Sequence, residues 1–204
     1  MRVSHLSMTF IISALFVTCA QSDEPAGVDT NTPEAAAFSV DASLLGSEYT
    51  VDAFGLSLRP PVDWDRLAES ERDALATALT ARQAESDIKL AVLDLFLHAE
   101  TFSYLSVSAV EIDGEPLTEV EPYAILLRNQ IDTRDEEIAS ASVFLINGIS
   151  VEQFRFLENE RVNFVLLLEP TQEGVLQLDY SVPVDRFEQE VRKLESSIGS
   201  IRPQ

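Results

Sequence analysis

Basic residues are scarce in this chain of 204 residues, which has 14 Lys and Arg against 35 Asp and Glu and a formal net charge of −21. Nucleic-acid phosphates and anionic lipid head groups are both bound through Lys and Arg. A surface of this charge repels both, so the composition argues against nucleic acid as a partner. A protein partner with a basic or mixed surface, held in a salt-sensitive complex, is compatible with the charge.

Cysteine and histidine are also nearly absent, with one Cys and two His in the whole chain. A single cysteine excludes an internal disulfide framework and a zinc or iron–sulfur site built from several thiolates. His5 lies in the N-terminal leader, which leaves His98 as the only histidine of the folded part. One histidine cannot form a two-His metal site.

No segment after the leader is apolar over the roughly 20 residues that a membrane-spanning helix needs. The leader itself has Arg2, an apolar stretch over residues 9–17, and then Thr18-Cys19-Ala20. This order of charged, apolar and small residues is typical of a signal peptide. We predict that residues 1–18 are a signal peptide and that the protein is exported.

Cys19 directly follows this apolar stretch and resembles the lipobox cysteine of bacterial lipoproteins, although Thr18 stands where that pattern has Gly, Ala or Ser. The resemblance implies diacylglycerol on Cys19 and cleavage before it. A triacylated cysteine would anchor the protein stably in the bacterial cell envelope, because it exceeds the two lipid signals that anchoring requires. The alternative is cleavage after Ala20 and a soluble secreted or periplasmic protein.

The segment after Cys19 is polar and acidic. Residues 20–45 contain five acidic residues and no basic one, as is typical of a solvated linker. We predict an acidic flexible tether over residues 19–45 and one globular domain over residues 46–204. The alternative is that residues 35–45 already form a first strand or helix of the domain. The acidity is not confined to the tether, since 30 of the 35 acidic residues follow residue 45.

Hydrophobic patterns predict the elements of the domain. Two short extended runs over residues 47–58 precede a helix that is capped by Asp63 or Asp65 and ends near Glu85. Asn147-Gly148 is a strong hairpin signal, because both positions of such a turn need positive φ. The predicted longer strands are residues 88–98, 102–112, 142–146, 149–157, 162–169 and 175–182.

Two further helices complete the pattern. Thr118 with Glu121 and Asp185 with Glu188 are capping-box pairs at their predicted starts. The last helix presents one apolar stripe, formed by Phe187, Val191, Leu194 and Ile198. Residues 162–168 are apolar on both faces of their strand, so they need cover on both sides. We predict an α+β fold with an antiparallel sheet flanked by helices on both faces, an α/β/α sandwich.

Two segments resemble the beginning and the end of PsbP-like domains. The first runs Phe54-Gly55-Leu56-Ser57-Leu58, then Pro60-Pro61 and Trp64. The second ends in Glu195-Ser196-Ser197-Ile198-Gly199-Ser200-Ile201. The resemblance covers roughly residues 47–203 and implies the same sandwich. PsbP-like proteins include photosystem extrinsic proteins, a small-GTPase-binding transport factor and exported lipoproteins, so the resemblance implies no particular chemistry and no catalytic motif.

A search for catalytic residues leads to His98, which could serve as the base of a Ser-His-Asp set with Ser103 or Ser106 and Asp94. The sequence contains no Gly-x-Ser-x-Gly nucleophile elbow. Every candidate set also depends on this one histidine at the end of a strand. We therefore predict no enzymatic activity and no cofactor, and an exported hydrolase that uses His98 is the alternative.

The densest acidic cluster consists of Asp132, Asp135, Glu136 and Glu137. Carboxylate oxygens are the ligands that calcium prefers, but the cluster lacks the spacing and the glycine of an EF-hand. We predict a solvated helix end with no bound metal, and a calcium-binding envelope protein is the alternative. Our prediction for function is an exported, lipid-anchored envelope protein that acts as a non-catalytic binding or accessory module.

Overall fold

The structure is a computed structural model that describes residues 34–35, 38–82, 87–132, 139–169 and 174–204, with side chains described over 38–77, 87–131, 139–169 and 174–204. Its helices are α1 (Glu69–Arg82), α2 (Glu121–Asp132) and α3 (Phe187–Gly199). No helix in the described ranges has the length and apolar character needed to span a membrane.

The strands form two sheets. They are β1 (Glu34–Ala35), β2 (Tyr49–Val51), β3 (Leu56–Leu58), β4 (Asp65–Arg66), β5 (Ile88–Leu97), β6 (Tyr104–Ile112), β7 (Glu115–Pro116), β8 (Ser140–Ile146), β9 (Ile149–Glu158), β10 (Arg161–Leu168), β11 (Leu176–Pro183) and β12 (Arg202–Pro203). The main sheet has the order β1-β8-β9-β10-β11-β6-β5-β4, with β7 beside β6, and the small sheet has the order β12-β3-β2. All neighbours are antiparallel except β1 and β8.

The predicted turn between β8 and β9 is confirmed. Asn147 and Gly148 have φ angles of 49° and 85°, both in the left-handed region that Asn and Gly tolerate best. The turn between β9 and β10 uses the same geometry at Asn159 and Glu160, with φ angles of 50° and 59°. These tight turns keep β8, β9 and β10 adjacent in chain order.

Helices cover both faces of the main sheet, which confirms the predicted α+β sandwich. Side chains of β10 alternate between two cores: Leu166 belongs to the core beneath α3, and Leu167 belongs to the core beneath α2. On the α3 side, Leu194 and Ile198 of the helix pack with the small sheet. On the α2 side, the helix contributes Tyr123, Ala124 and Ile131.

Helix α1 begins later than the sequence predicts. Asp63 lies in a turn with φ of 70°, and Asp65 pairs with Leu97 as part of β4, so neither residue caps the helix. The first turn instead forms on the carbonyl of Ala68, which accepts hydrogen bonds from the backbone of Glu71 and Arg72. Pairing of residues 65–66 with the edge of β5 delays the start of the helix.

The folded region begins before residue 46. Phe38 packs on Phe144 with ring centroids 5.6 Å apart, and the backbone N–H of Asp41 donates to Oγ of Ser196 at 3.2 Å. Leu45 is buried, and β1 pairs with β8. The predicted end of the tether at residue 45 is therefore too late, since the described part of residues 34–45 packs on the domain. The predicted signal peptide and the tether up to residue 33 lie outside the described residues.

The start of α2 depends on a residue that is distant in sequence. Oε1 of Glu169, which follows β10, accepts a hydrogen bond from the backbone N–H of Val120 at 2.9 Å. A carboxylate at this end of a helix also interacts favourably with the helix dipole. At the start of α3, Asp185 lies in a 3₁₀ turn, and the residue that caps the helix, Arg186, makes no side-chain capping bond.

Candidate functional site

A cavity of about 320 Å³ lies between α1 and the face of the main sheet that is opposite α3. Its lining residues are Leu75, Leu90, Val92, Leu95, Leu97, Tyr104, Ser106, Ser108 and Asp179. Leu75 comes from α1, and the others come from the adjacent strands β5, β6 and β11. The volume is at the lower end of the range for small-molecule sites, and the mixture of apolar walls with a few polar groups is typical of them.

A β-bulge in β5 determines which of its side chains line the cavity. The pairing of β5 with β6 shifts register between Val92 and Asp94. Because side chains of a strand alternate between faces, the extra residue turns Leu95 and Leu97 toward the cavity and Asp94 toward the opposite face. The bulge therefore keeps this carboxylate out of the cavity and makes the β5 wall apolar.

The polar floor of the cavity comes from the centre of the sheet. Asp179 of β11 is paired with Ser106 of β6, and Gln177 is paired with Ser108, so alternate positions of both strands place polar side chains on one face. The hydroxyl oxygens of Ser106 and Ser108 are 3.3 Å apart.

The carboxylate of Asp179 is held by one neighbour. Nε2 of Gln177 donates to both of its oxygens, at 2.9 Å each. Burial raises the pKa of Asp179 to about 6, and the hydrogen bonds from Gln177 oppose this rise. Burial also raises the pKa of Tyr123, and the charge of Asp179 adds to that increase. A perturbed carboxyl in a cavity is a physical marker of a functional site.

The residues of the candidate Ser-His-Asp set are described, and each has another partner. Nδ1 of His98 accepts hydrogen bonds from the backbone N–H groups of Glu100 and Thr101, both at 3.3 Å, which closes the turn between β5 and β6. A catalytic histidine needs that nitrogen for its aspartate. His98 therefore has a structural role in this turn.

The serine and aspartate of the set are engaged as well. The carboxylate of Asp94 binds Arg66, with Nε to Oδ1 at 3.0 Å and Nη2 to Oδ2 at 2.5 Å. Oγ of Ser103 accepts from Thr101 at 2.9 Å, whereas Ser106 lies in the cavity. These described side chains do not form the arrangement that a hydrolase of this type requires.

The predicted lipidation site, Cys19, lies outside the described residues. Of the acidic cluster, Asp132 ends α2, and Asp135, Glu136 and Glu137 lie beyond the described range. Within the described ranges, no group of three or more His, Cys, Asp or Glu residues is placed to hold a metal ion.

The sequence analysis did not identify Asp179 or Ser108, and it considered Ser106 only as a nucleophile. The available signal was alternation, since Gln177 and Asp179 interrupt an apolar strand at every second position. Ser106 and Ser108 do the same in β6. This pattern marks a polar stripe on one face of each strand. The two stripes form one polar surface only because β6 and β11 are adjacent in the sheet.

No protein-family model matches the chain. No curated protein matches it either. Among solved structures, it is similar to the solution structure of cyanobacterial PsbP (CyanoP) from Synechocystis sp. PCC 6803, with a TM-score of 0.50, 13% identity, and coverage of 83% of this chain and 98% of that chain. A crystal structure from Bacteroides thetaiotaomicron VPI-5482 gives a TM-score of 0.44 and 14% identity over 78% of this chain and 49% of that chain. The similarity to CyanoP shows that the chain has the PsbP-like fold that its terminal segments resemble.

Proposed function

We propose that this protein is an exported, lipid-anchored, non-catalytic binding module of the bacterial cell envelope, and that it binds a small, mainly apolar molecule in the cavity above Asp179. The cavity is the observation that carries this proposal. Among the described lining residues, Leu and Val side chains form the walls, and the hydroxyl and carboxylate groups of Ser106, Ser108 and Asp179 form the floor. Such a site can hold an apolar body and orient it through a few polar contacts.

Binding is favoured over catalysis because the cavity lacks the combination of groups that a reaction of the hydrolase type needs. Asp179 and Tyr104 are its titratable residues among the described side chains. The serines there have neither a histidine nor another base as a partner, since Ser106 and Ser108 lie against each other. The PsbP-like fold supports an accessory role. Association with a basic protein partner stays a prediction from the net charge.

The binding proposal is tested with N-phenyl-1-naphthylamine, a neutral apolar dye whose fluorescence rises on burial. We expect the full chain to bind it, and we expect Ser108→Leu to weaken binding at least about tenfold, because the added carbons fill the cavity. Ser142→Leu is the matched control, since Ser142 is exposed on β8. Equal binding by the wild type and Ser108→Leu would show that the cavity is not the site.

The lipid anchor is tested at Cys19. Labelled palmitate fed to expressing cells should enter the wild-type protein and should be absent from Cys19→Ser, because Cys19 is the only thiol of the chain. The control Thr18→Gly brings the leader closer to the lipobox pattern and should keep the label. Labelling of Cys19→Ser, or a mature N-terminus at Gln21, would contradict lipidation.

Anchoring would leave the domain free to reach a ligand near the membrane. A fully extended chain from Cys19 to the start of β1 at Glu34 reaches at most roughly 50 Å. It carries acidic residues and no basic one, so an anionic lipid surface would repel it. The domain would therefore lie off the surface while remaining tied to it.

A further inference from the structure

We infer that the molecule bound in this cavity carries a protonated amine, which pairs with the carboxylate of Asp179 while its apolar body packs on the leucines of β5. This inference rests on the proposed binding function and names the chemical class of its ligand. Three observations support it: the hydrogen-bond partners of Asp179, the apolar side chains of the cavity walls, and the register between β11 and β6.

Among the described side chains, the donors to Asp179 use only part of the capacity of its carboxylate for hydrogen bonds. A carboxylate can accept about four hydrogen bonds, and the donor described for Asp179 is Nε2 of Gln177. No Lys, Arg or His among the described side chains forms an ion pair with it. Asp179 is half-buried, and a carboxylate partly removed from water is unfavourable unless a cation or further donors compensate it.

Arg161 is a cation on the same face of the sheet, and its guanidinium is already engaged. It donates to Oγ and to the carbonyl of Ser181, at 2.8 and 3.1 Å, and to the carbonyl of Phe102 at 2.8 Å. It also lies over the ring of Tyr104, 5.3 Å from the ring centroid. Arg161 therefore links the ends of these strands, and its described hydrogen bonds do not include Asp179.

The floor of the cavity offers acceptors in the number that an ammonium group needs. An ammonium has three N–H donors and no acceptor. Asp179 lies directly opposite Ser106 in the register of β11 and β6, and the hydroxyl of Ser108 is adjacent to that of Ser106. One carboxylate and two hydroxyl oxygens on one face can accept all three hydrogen bonds.

The walls restrict the rest of the molecule. Leu90, Val92, Leu95 and Leu97 present no donor or acceptor, so the part of the ligand that touches them must be apolar. A carboxylate or phosphate in the same position would be repelled by Asp179. The acidic charge of the whole chain also raises the local concentration of cations and lowers that of anions.

The test compares three probes of equal chain length, hexylamine, 1-hexanol and hexanoate, by titration calorimetry on the full chain at pH 7.5. We expect hexylamine to bind about ten to one hundred times more tightly than 1-hexanol, as charge-assisted hydrogen bonds allow. Hexanoate should bind more weakly than both. In Asp179→Asn, hexylamine should lose its advantage over 1-hexanol.

Asp185→Asn controls for the general acidity of the surface, because it removes the same charge from an exposed position. This variant should keep the preference for the amine. Equal affinity of hexylamine and 1-hexanol in the wild type would overturn the inference of a cationic ligand and leave the apolar site standing. An amine preference that persists in Asp179→Asn would also overturn it. Absence of binding by all three probes and by the dye would overturn the proposed function itself.

Discussion

Arg66→Met is expected to lower the free energy of unfolding by about 2–3 kcal/mol, because it leaves the buried carboxylate of Asp94 without its half-exposed cation. Asp94 has no exposed surface, and both of its oxygens contact the guanidinium of Arg66. The guanidinium also lies over the ring of Tyr49, 5.3 Å from its centroid. Burial raises the pKa of Tyr49, and the charge of Asp94 and a hydrogen bond to it raise the pKa further. Methionine keeps the length of the side chain, so the change removes mainly the charge.

Urea unfolding at pH 7 measures this effect, and Arg72→Met is the matched control. Arg72 pairs with Glu69 and Asp73, whose side chains are largely exposed, so its loss should change stability by about 1 kcal/mol or less. The double variant Arg66→Met, Asp94→Leu should recover much of the lost stability, because it also removes the carboxylate that the single variant leaves without a cation. Arg66→Met with wild-type stability would show that Asp94 does not depend on this ion pair.

Asp179→Asn is expected to have the opposite effect. It should raise the free energy of unfolding at pH 7 by up to about 3 kcal/mol. The pKa of Asp179 is about 6 in the folded protein against 3.8 for a fully solvated aspartate, and each unit of difference corresponds to about 1.4 kcal/mol. Because the folded state holds the proton more tightly, stability from this group is present below pH 4 and is lost as the pH rises to 6. Asparagine cannot ionise and still offers an oxygen to Gln177.

The measurement is urea unfolding of the wild type and the variant at pH 7.5 and at pH 4, without added amine. The difference should be large at pH 7.5 and should nearly disappear at pH 4, where the wild-type carboxyl is protonated. Asp185→Asn removes an exposed carboxylate and should change stability by about 0.5 kcal/mol or less at both values. If Asp179→Asn were less stable than the wild type at pH 7.5, the ionised carboxylate of Asp179 would not be an unfavourable group in this cavity.

The two aspartates illustrate how the partner decides the effect of a buried charge. Asp94 has Arg66 and therefore contributes to the fold, whereas the described partner of Asp179 is the neutral amide of Gln177, which does not compensate its charge. Proteins retain unfavourable groups of this kind where a function needs them. If Asp179→Asn gains stability and also loses the preference for the amine, both effects are due to the same carboxylate.

The sequence by itself determined the local elements of this protein. Strands and helices repeat their apolar residues with different periods, and Asn147-Gly148 needs no distant contact to turn the chain. The strand at residues 162–168, apolar on both faces, already required cover on both sides and so indicated the sandwich. The boundaries of α1 and of the folded region were less accurate, because they depend on the pairing of β4 with β5 and on the packing of Phe38 on Phe144.

Only the tertiary structure decided the candidate site. Without the bulge after Val92, strict alternation would turn Asp94 toward the cavity and Leu95 away from it, and nothing in the local pattern marks that extra residue. The floor likewise exists because β11 lies beside β6, about 70 residues away in sequence, which brings Asp179 opposite Ser106. Periodicity is a property of one segment, whereas the partner of a buried carboxylate is set by strands that meet only when the chain folds.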